Sequence, residues 1–164
     1  MTTDHAGFLD RIVAVLSEAD VRYCVIGGQA VNAYVEPVVS LDLDIAVAIE
    51  DLEATEALLR EHFKGARFPH SVKASLAGSD LRVQLQTDPR YAAFVGRASV
   101  RDVLGLSLPV AALEDVLQGK VWAAQDPKRR PSKRQKDPAD ISRLLEAHPE
   151  LRRSVPQDVL DRLI

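Results

Sequence analysis

Apolar residues recur at helical spacing near the start of the chain. Phe8, Leu9, Ile12, Val13 and Leu16 fall on one stripe, which predicts an amphipathic helix ending at Asp20, with Thr3 or Asp4 as its N-cap. Tyr23-Cys24-Val25-Ile26 follows as an unbroken apolar run stopped by Gly27-Gly28, the pattern of a buried strand. Residues 29–35 have room for two helical turns before Pro37 interrupts. Over 41–48, Leu-Asp-Leu-Asp-Ile-Ala-Val-Ala opens with strict alternation and predicts a strand with one polar face. Leu52, Leu59 and Phe63, with Leu58 beside them, give a second amphipathic helix.

Two alternating runs, 71–76 and 81–86, flank Ala77-Gly78-Ser79-Asp80 and read as a hairpin. Ser107-Leu108-Pro109-Val110 reads as a short edge strand, because proline cannot donate to a ladder. Leu113, Val116, Leu117, Val121 and Trp122 predict a helix over 112–125, with Trp122 in the core. Residues 127–136, basic and broken by prolines, read as a loop. A helix is expected after Asp137, and a short one near 156–163 with Ser154 as a candidate cap. The order predicts an α+β (α/β-like) architecture, a small mixed sheet flanked by helices with a C-terminal helical segment. Residues 1–111 form the expected sheet domain and 112–164 a helical extension packed on it.

Composition narrows the setting. At 164 residues the chain has one domain's worth of core, and 46% of it is apolar. The single cysteine, Cys24, excludes an intrachain disulfide and fits a reducing, cytoplasmic setting. No apolar run approaches the ~20 residues of a membrane span, so no membrane partner is expected. The opening Met-Thr-Thr-Asp-His lacks the basic-then-apolar pattern of a signal peptide. His5, His62, His70 and His148 are scattered without ligand spacing, so zinc is not expected.

Charge is unevenly placed. The formal net charge is −3, yet Lys128, Arg129, Arg130, Lys133, Arg134 and Lys136 put six cations into nine residues. The remaining chain carries 15 basic against 24 acidic residues. An acidic body therefore carries one basic segment, which reads as a solvated excursion, a phosphate-binding element or a dock for an acidic protein.

Two features carry chemistry together. Gly27-Gly28 stands where a strand meets a helix, and glycine there lets a ligand approach backbone whose free N–H groups attract anions. Asp42-Leu43-Asp44 puts two carboxylates on one face of a strand, roughly 6.5–7 Å apart along the chain. Such a pair suits a divalent ion shared with phosphate oxygens, although either feature alone is common in structural roles.

Taken together, Tyr23-Cys-Val-Ile-Gly-Gly-Gln-Ala-Val-Asn-Ala-Tyr34 and Ser40-Leu-Asp-Leu-Asp-Ile45 resemble the nucleotidyltransferase superfamily related to DNA polymerase beta. The likeness is to its small bacterial members, including those of toxin–antitoxin and abortive-infection systems. Leu108-Pro-Val-Ala-Ala-Leu-Glu-Asp-Val116, Lys120, Lys136-Asp137 and Asp140 extend it over most of the chain. The resemblance implies the nucleotidyltransferase fold and transfer of a nucleoside monophosphate from a triphosphate to a hydroxyl acceptor. The acceptor would be a small molecule, a tRNA end or a protein side chain. Gly27, Gly28, Ser40 and Lys120 would meet the nucleotide, and Asp42 and Asp44 would be the catalytic acids that hold Mg²⁺ or Mn²⁺.

The chain departs from the family pattern at two places. Where active members add a third acid on a later strand, Gln84 stands, and an amide cannot act as a base near neutral pH. Asp88, four residues on, is the other candidate for that position. Val38 takes the place of a basic residue common in relatives. These losses sustain a second reading, a catalytically impaired member working as a binding or antitoxin-like partner. A third is an RNA- or DNA-binding module using the basic loop 128–136.

Overall fold

The structure, a computed structural model, describes residues 5–68, 71–76 and 78–163, with side chains from residue 7 onward except at 66–68. The expected cap of the first helix at Thr3 or Asp4 lies outside the described residues, as does His70.

Helix α1 (His5–Glu18) buries Phe8, Leu9, Ile12 and Leu16, the predicted stripe. The chain then turns through Asp20 at φ 56° into β1 (Tyr23–Ile26). Helix α2 (Gly27–Tyr34) starts directly from β1, and β2 (Asp42–Val47) returns antiparallel to it. A 3₁₀ turn (Ile49–Asp51) leads into α3 (Leu52–His62). Strands β3 (Lys64–Phe68), β4 (Ser71–Ser75) and β5 (Arg82–Gln86) follow, the last two forming the predicted antiparallel hairpin. After a 3₁₀ segment (Pro89–Arg97) come β6 (Ser99–Val103) and β7 (Leu106–Val110). Helices α4 (Leu113–Gln125), α5 (Pro131–Ala147) and α6 (Gln157–Leu160) complete the chain, with a 3₁₀ segment (Pro149–Ser154) before α6.

The strands form one mixed sheet in the order β3-β4-β5-β2-β1-β7-β6. β2 pairs parallel with β5 and β1 parallel with β7, while the other neighbours are antiparallel. Alternation divides the sheet into two faces. Val72, Ala74, Val83, Leu85, Leu43 and Ile45 are buried in one apolar cluster with the α1 stripe and Leu59 of α3. The alternate positions, Ser71 and Lys73, Arg82, Gln84 and Gln86, Asp42 and Asp44, form a polar face across β4, β5 and β2.

Several expectations are corrected. The segment expected as an edge strand is β7, which lies inside the sheet between β1 and β6. Ala111 N donates to Val25 O, so by alternation the nitrogen of Pro109 faces the same neighbour, and its missing hydrogen accounts for the short pairing with β1. β6 itself was not foreseen, since four of its five residues are exposed and carry no buried alternation. The basic stretch is a loop only to Arg130. From Pro131 it is the start of α5, because proline at the first helical position is pre-set for the helix. The helix runs on through Pro138, held by buried Asp137, Asp140, Ile141 and Leu144. Ser154 ends a 3₁₀ turn and does not cap α6, whose N-cap position is Pro156. Among the described residues no helix is long and apolar enough to cross a membrane.

Candidate functional site

The parallel register of β2 and β5 sets Asp42 beside Arg82 and Asp44 beside Gln84. Antiparallel β4 then sets Lys73 opposite Gln84. Helix α4 closes over this polar face. Between them lies a cleft of about 110 Å³ lined by Gly27, Asp44, Gln84, Tyr91, Lys120 and Lys133, among others.

The two acids have opposite surroundings. Asp42 is held on both sides: Arg82 Nε donates to Oδ1 at 2.9 Å and Lys133 Nζ to Oδ2 at 3.0 Å. Burial pushes its carboxyl up, but the Lys133 hydrogen bond and the charges of Lys133, Arg82 and Lys136 win and hold it below the usual carboxylate range. Asp44 has an Oδ1 shielded from solvent with no hydrogen-bond partner. Burial, reinforced by the negative charge of Asp42, pushes its carboxyl up against the pull of Lys120, Lys133 and Lys136.

The glycines frame this pair from β1 and α2. Gly27 has φ +69°, a left-handed conformation that favours glycine, and a Cβ there would run into Asp44 Oδ2. At Gly28 a Cβ would stand 3.1 Å from Lys136 Nζ and 3.9 Å from Ser40 Oγ. Ser40 is tied into place through its carbonyl, which accepts from Gln29 Nε2 at 3.0 Å. Gly27, Gly28, Ser40, Asp42 and Asp44, separated along the chain by α2 and its return loop, are thus brought to one spot, as the sequence expected.

Lys120 is buried rather than solvated. Its ammonium meets Asp140 at 2.8 Å and Asp137 at 3.2 Å, and it lines the cleft near Asp44. Arg129 Nε also holds Asp137 at 2.8 Å. Arg143 bridges Asp140 at 2.8 Å to the α2 side chain Asn32 at 2.7 Å, tying α5 to α2. Burial, together with the charges of Lys120 and Lys133, pushes Lys136 below the ordinary lysine range.

The two candidates for the third-acid position separate. Gln84 stands in register with Asp44 and lines the cleft. Asp88 is the N-cap of the Pro89–Arg97 segment, accepting from Arg90 N at 3.0 Å and pairing with the Arg90 guanidinium at 2.8 Å. Its carboxylate is engaged there and does not line the Asp44 cleft. Strand β5 ends at Gln86, so the same-face spacing that would have carried Asp88 back to the pair is lost at Pro89.

Sequence reasoning missed Arg82 and Lys133 as partners of Asp42. The signal was present in α5: positions 133, 136, 137, 140, 141 and 144 follow helical spacing, but polar residues occupy the first four. Of the six cations in 128–136, Lys133 holds Asp42 and Arg129 holds Asp137, and Arg134 donates to the carbonyls of Arg129 and Pro127.

Among the described residues no group of three or more His, Cys, Asp or Glu side chains gathers in metal-binding geometry. The donor set nevertheless fits one divalent ion shared with phosphate. Two carboxylates face the same way from one strand, and one has a buried oxygen without a partner.

Solved structures match the chain over most of its length. The antibiotic-resistance protein ANT(2'')-Ia, in complex with adenylyl-2''-tobramycin, superposes with a TM-score of 0.64 at 15% identity, covering 98% of this chain and 99% of that one. The chain has the nucleotidyltransferase fold. The lincosamide antibiotic adenylyltransferase LnuA, bound to lincomycin, shares that fold with a TM-score of 0.55 at 14% identity, over 85% of this chain and 95% of its own. An antigenic nucleotidyltransferase-like protein from Paracoccidioides brasiliensis has a TM-score of 0.50 at 16% identity, covering 93% and 91%. By sequence, no family model and no curated protein matches the chain.

Proposed function

We propose that the chain binds a nucleoside triphosphate together with a divalent ion, Mg²⁺ or Mn²⁺, and transfers the nucleoside monophosphate to a hydroxyl acceptor. The observation that carries this reading is the buried, partnerless Oδ1 of Asp44, set beside Gly27 in a cleft that cations crowd. A buried carboxylate oxygen with no hydrogen bond is costly unless a donor or a cation joins it directly. The depressed lysine range of Lys136 speaks for the complementary need, an anion near Gly28.

In this reading Asp42 and Asp44 hold the ion, which when bound neutralises charge on the reacting phosphate. Gly27 and Gly28 keep the approach to that phosphate clear, and Lys133 and Lys136 offer it positive charge. Lys120 acts from behind the cleft, holding α4 to α5 through Asp137 and Asp140. Residues 1–111 would then be the transferase unit, and 112–164 the extension that brings the cations to it. Positioning and charge stabilisation supply the rate, with little covalent work by the protein. The antibiotic ligands of ANT(2'')-Ia and LnuA favour a hydroxyl-bearing small molecule as acceptor.

Gln84 favours a second reading, a chain that binds nucleotide without transferring it, since the amide beside Asp44 cannot take a proton from an acceptor. Titration with labelled ATP and Mg²⁺, followed by incubation with candidate acceptors, separates the two. Label on an acceptor, lost in the Asp42→Ala/Asp44→Ala variant, supports transfer. Binding without transfer selects the second reading, and absence of binding overturns both.

A further inference from the structure

The ion pair between Lys133 and Asp42 bears on how a metal reaches the site. Both oxygens of Asp42 are met by protein cations at hydrogen-bond distance, one from β5 and one from α5. Asp44, two residues on, has none on Oδ1. A divalent ion joining the pair must therefore approach a carboxylate already neutralised and accept two like charges nearby.

The two cations differ in what they can do next. Arg82 extends from the strand beside Asp42, half-exposed, and stays in register with it. Lys133 sits largely out of solvent on the first turn of α5, three residues before Lys136, which stands close to Gly28. One helical turn thus spans from the metal carboxylate to the place where phosphate is expected.

From this arrangement we infer that Lys133 is an exchangeable counter-ion. It occupies the metal-binding carboxylate in the free protein, yields to the divalent ion, and takes a phosphate group of the incoming nucleotide as its new partner. The inference rests on the reading of Asp42 and Asp44 as the metal pair. Its consequence is that metal alone binds weakly, while metal and triphosphate bind cooperatively, each raising the affinity for the other by the same factor.

Mn²⁺ titration of the full chain, followed by electron paramagnetic resonance with and without a non-hydrolysable ATP analogue, tests it. Lys133→Gln should bind Mn²⁺ alone about tenfold more tightly than the wild type, and the further gain on adding the analogue should shrink. Lys133→Arg, which keeps the charge, should behave like the wild type and guards against a general effect on folding. Circular dichroism establishes that both variants are folded. Unchanged or weaker Mn²⁺ binding by Lys133→Gln overturns the inference. Adding Asp42→Asn to each chain then locates the ion. If Asp42→Asn abolishes Mn²⁺ binding while Lys133→Gln leaves it unchanged, the counter-ion role alone falls. If Asp42→Asn has no effect, or no chain binds Mn²⁺, the metal reading of the acid pair falls with it.

Discussion

Lys120 on α4 and Asp140 on α5 meet at 2.8 Å with both side chains almost wholly withdrawn from water. Asp137, fully buried, shares the same ammonium and also accepts from Arg129. The pair of helices is thus joined by charges with little solvent to fall back on, so removing Lys120 leaves two buried carboxylates with only Arg129 and Arg143 to balance them. Lys120→Met should cost about 3–5 kcal/mol of stability, measured by urea denaturation. A loss below ~1 kcal/mol for Lys120→Met would mean that the ammonium is solvated after all.

The two acids of β2 should respond to pH in opposite senses. The carboxyl of Asp44 is raised in the folded chain, so its ionisation favours unfolding: stability present below the ordinary aspartate value near 3.9 is lost as pH rises through the folded value. Asp44→Asn should therefore melt above the wild type at neutral pH. Asp42 is lowered, so it contributes stability above that ordinary value, lost as pH falls through the folded one. Asp42→Asn should melt below the wild type at neutral pH. As the medium is acidified, the Asp44→Asn difference should close first and the Asp42→Asn difference later. Melting curves of both variants between neutral pH and pH ~3 show the crossing order.

Neighbouring glycines should differ in tolerance. Gly27→Ala forces a side chain into a left-handed backbone and against the Asp44 carboxylate, and should cost about 1–2 kcal/mol from the backbone alone. Gly28→Ala meets the flexible end of Lys136 and, at ordinary contact distance, Ser40 Oγ, and alanine gains roughly 0.5–1 kcal/mol within a helix, so its net effect should be near zero. Equal losses in denaturation would show that the φ at Gly27 is not the constraint.

Gln84→Glu places a third carboxylate in register with Asp44. Mn²⁺ affinity should rise about tenfold, or ~1.4 kcal/mol, read by calorimetry in the presence of nucleotide. An unchanged affinity would place the Gln84 side chain away from the ion.

The parts of this molecule legible in sequence are those whose pattern is local. The α1 stripe, the Tyr23–Ile26 strand, the alternating Asp42-Leu43-Asp44 and the β4–β5 hairpin each announce themselves within a few residues. The Lys133–Asp42 pair joins positions 91 residues apart, and no local spacing marks it. The first turns of α5, ahead of the helix expected after Asp137, were hidden for a related reason. The helix's inward positions at 133, 136, 137 and 140 are charged, so the apolar period that signals a helix begins only at Ile141 and Leu144. The polar network that buries those charges is supplied by α4 and β2, which a reading along the chain does not bring near. Asp88 failed for the opposite reason, a local cap that overrode strand spacing.

The division of the sheet into an apolar and a polar face also sets what kinds of change the site can survive. Because side chains alternate every second residue, a one-residue register shift of Asp42–Val47 would send the carboxylates into the apolar core and Leu43 and Ile45 toward the cleft, and an insertion between the two acids would put them on opposite faces. Substitutions around the cleft alter its charge by degrees, whereas a length change in this strand inverts it. Drift in this strand is therefore confined to replacement, and the exposed 36–39 approach to it is where length can vary.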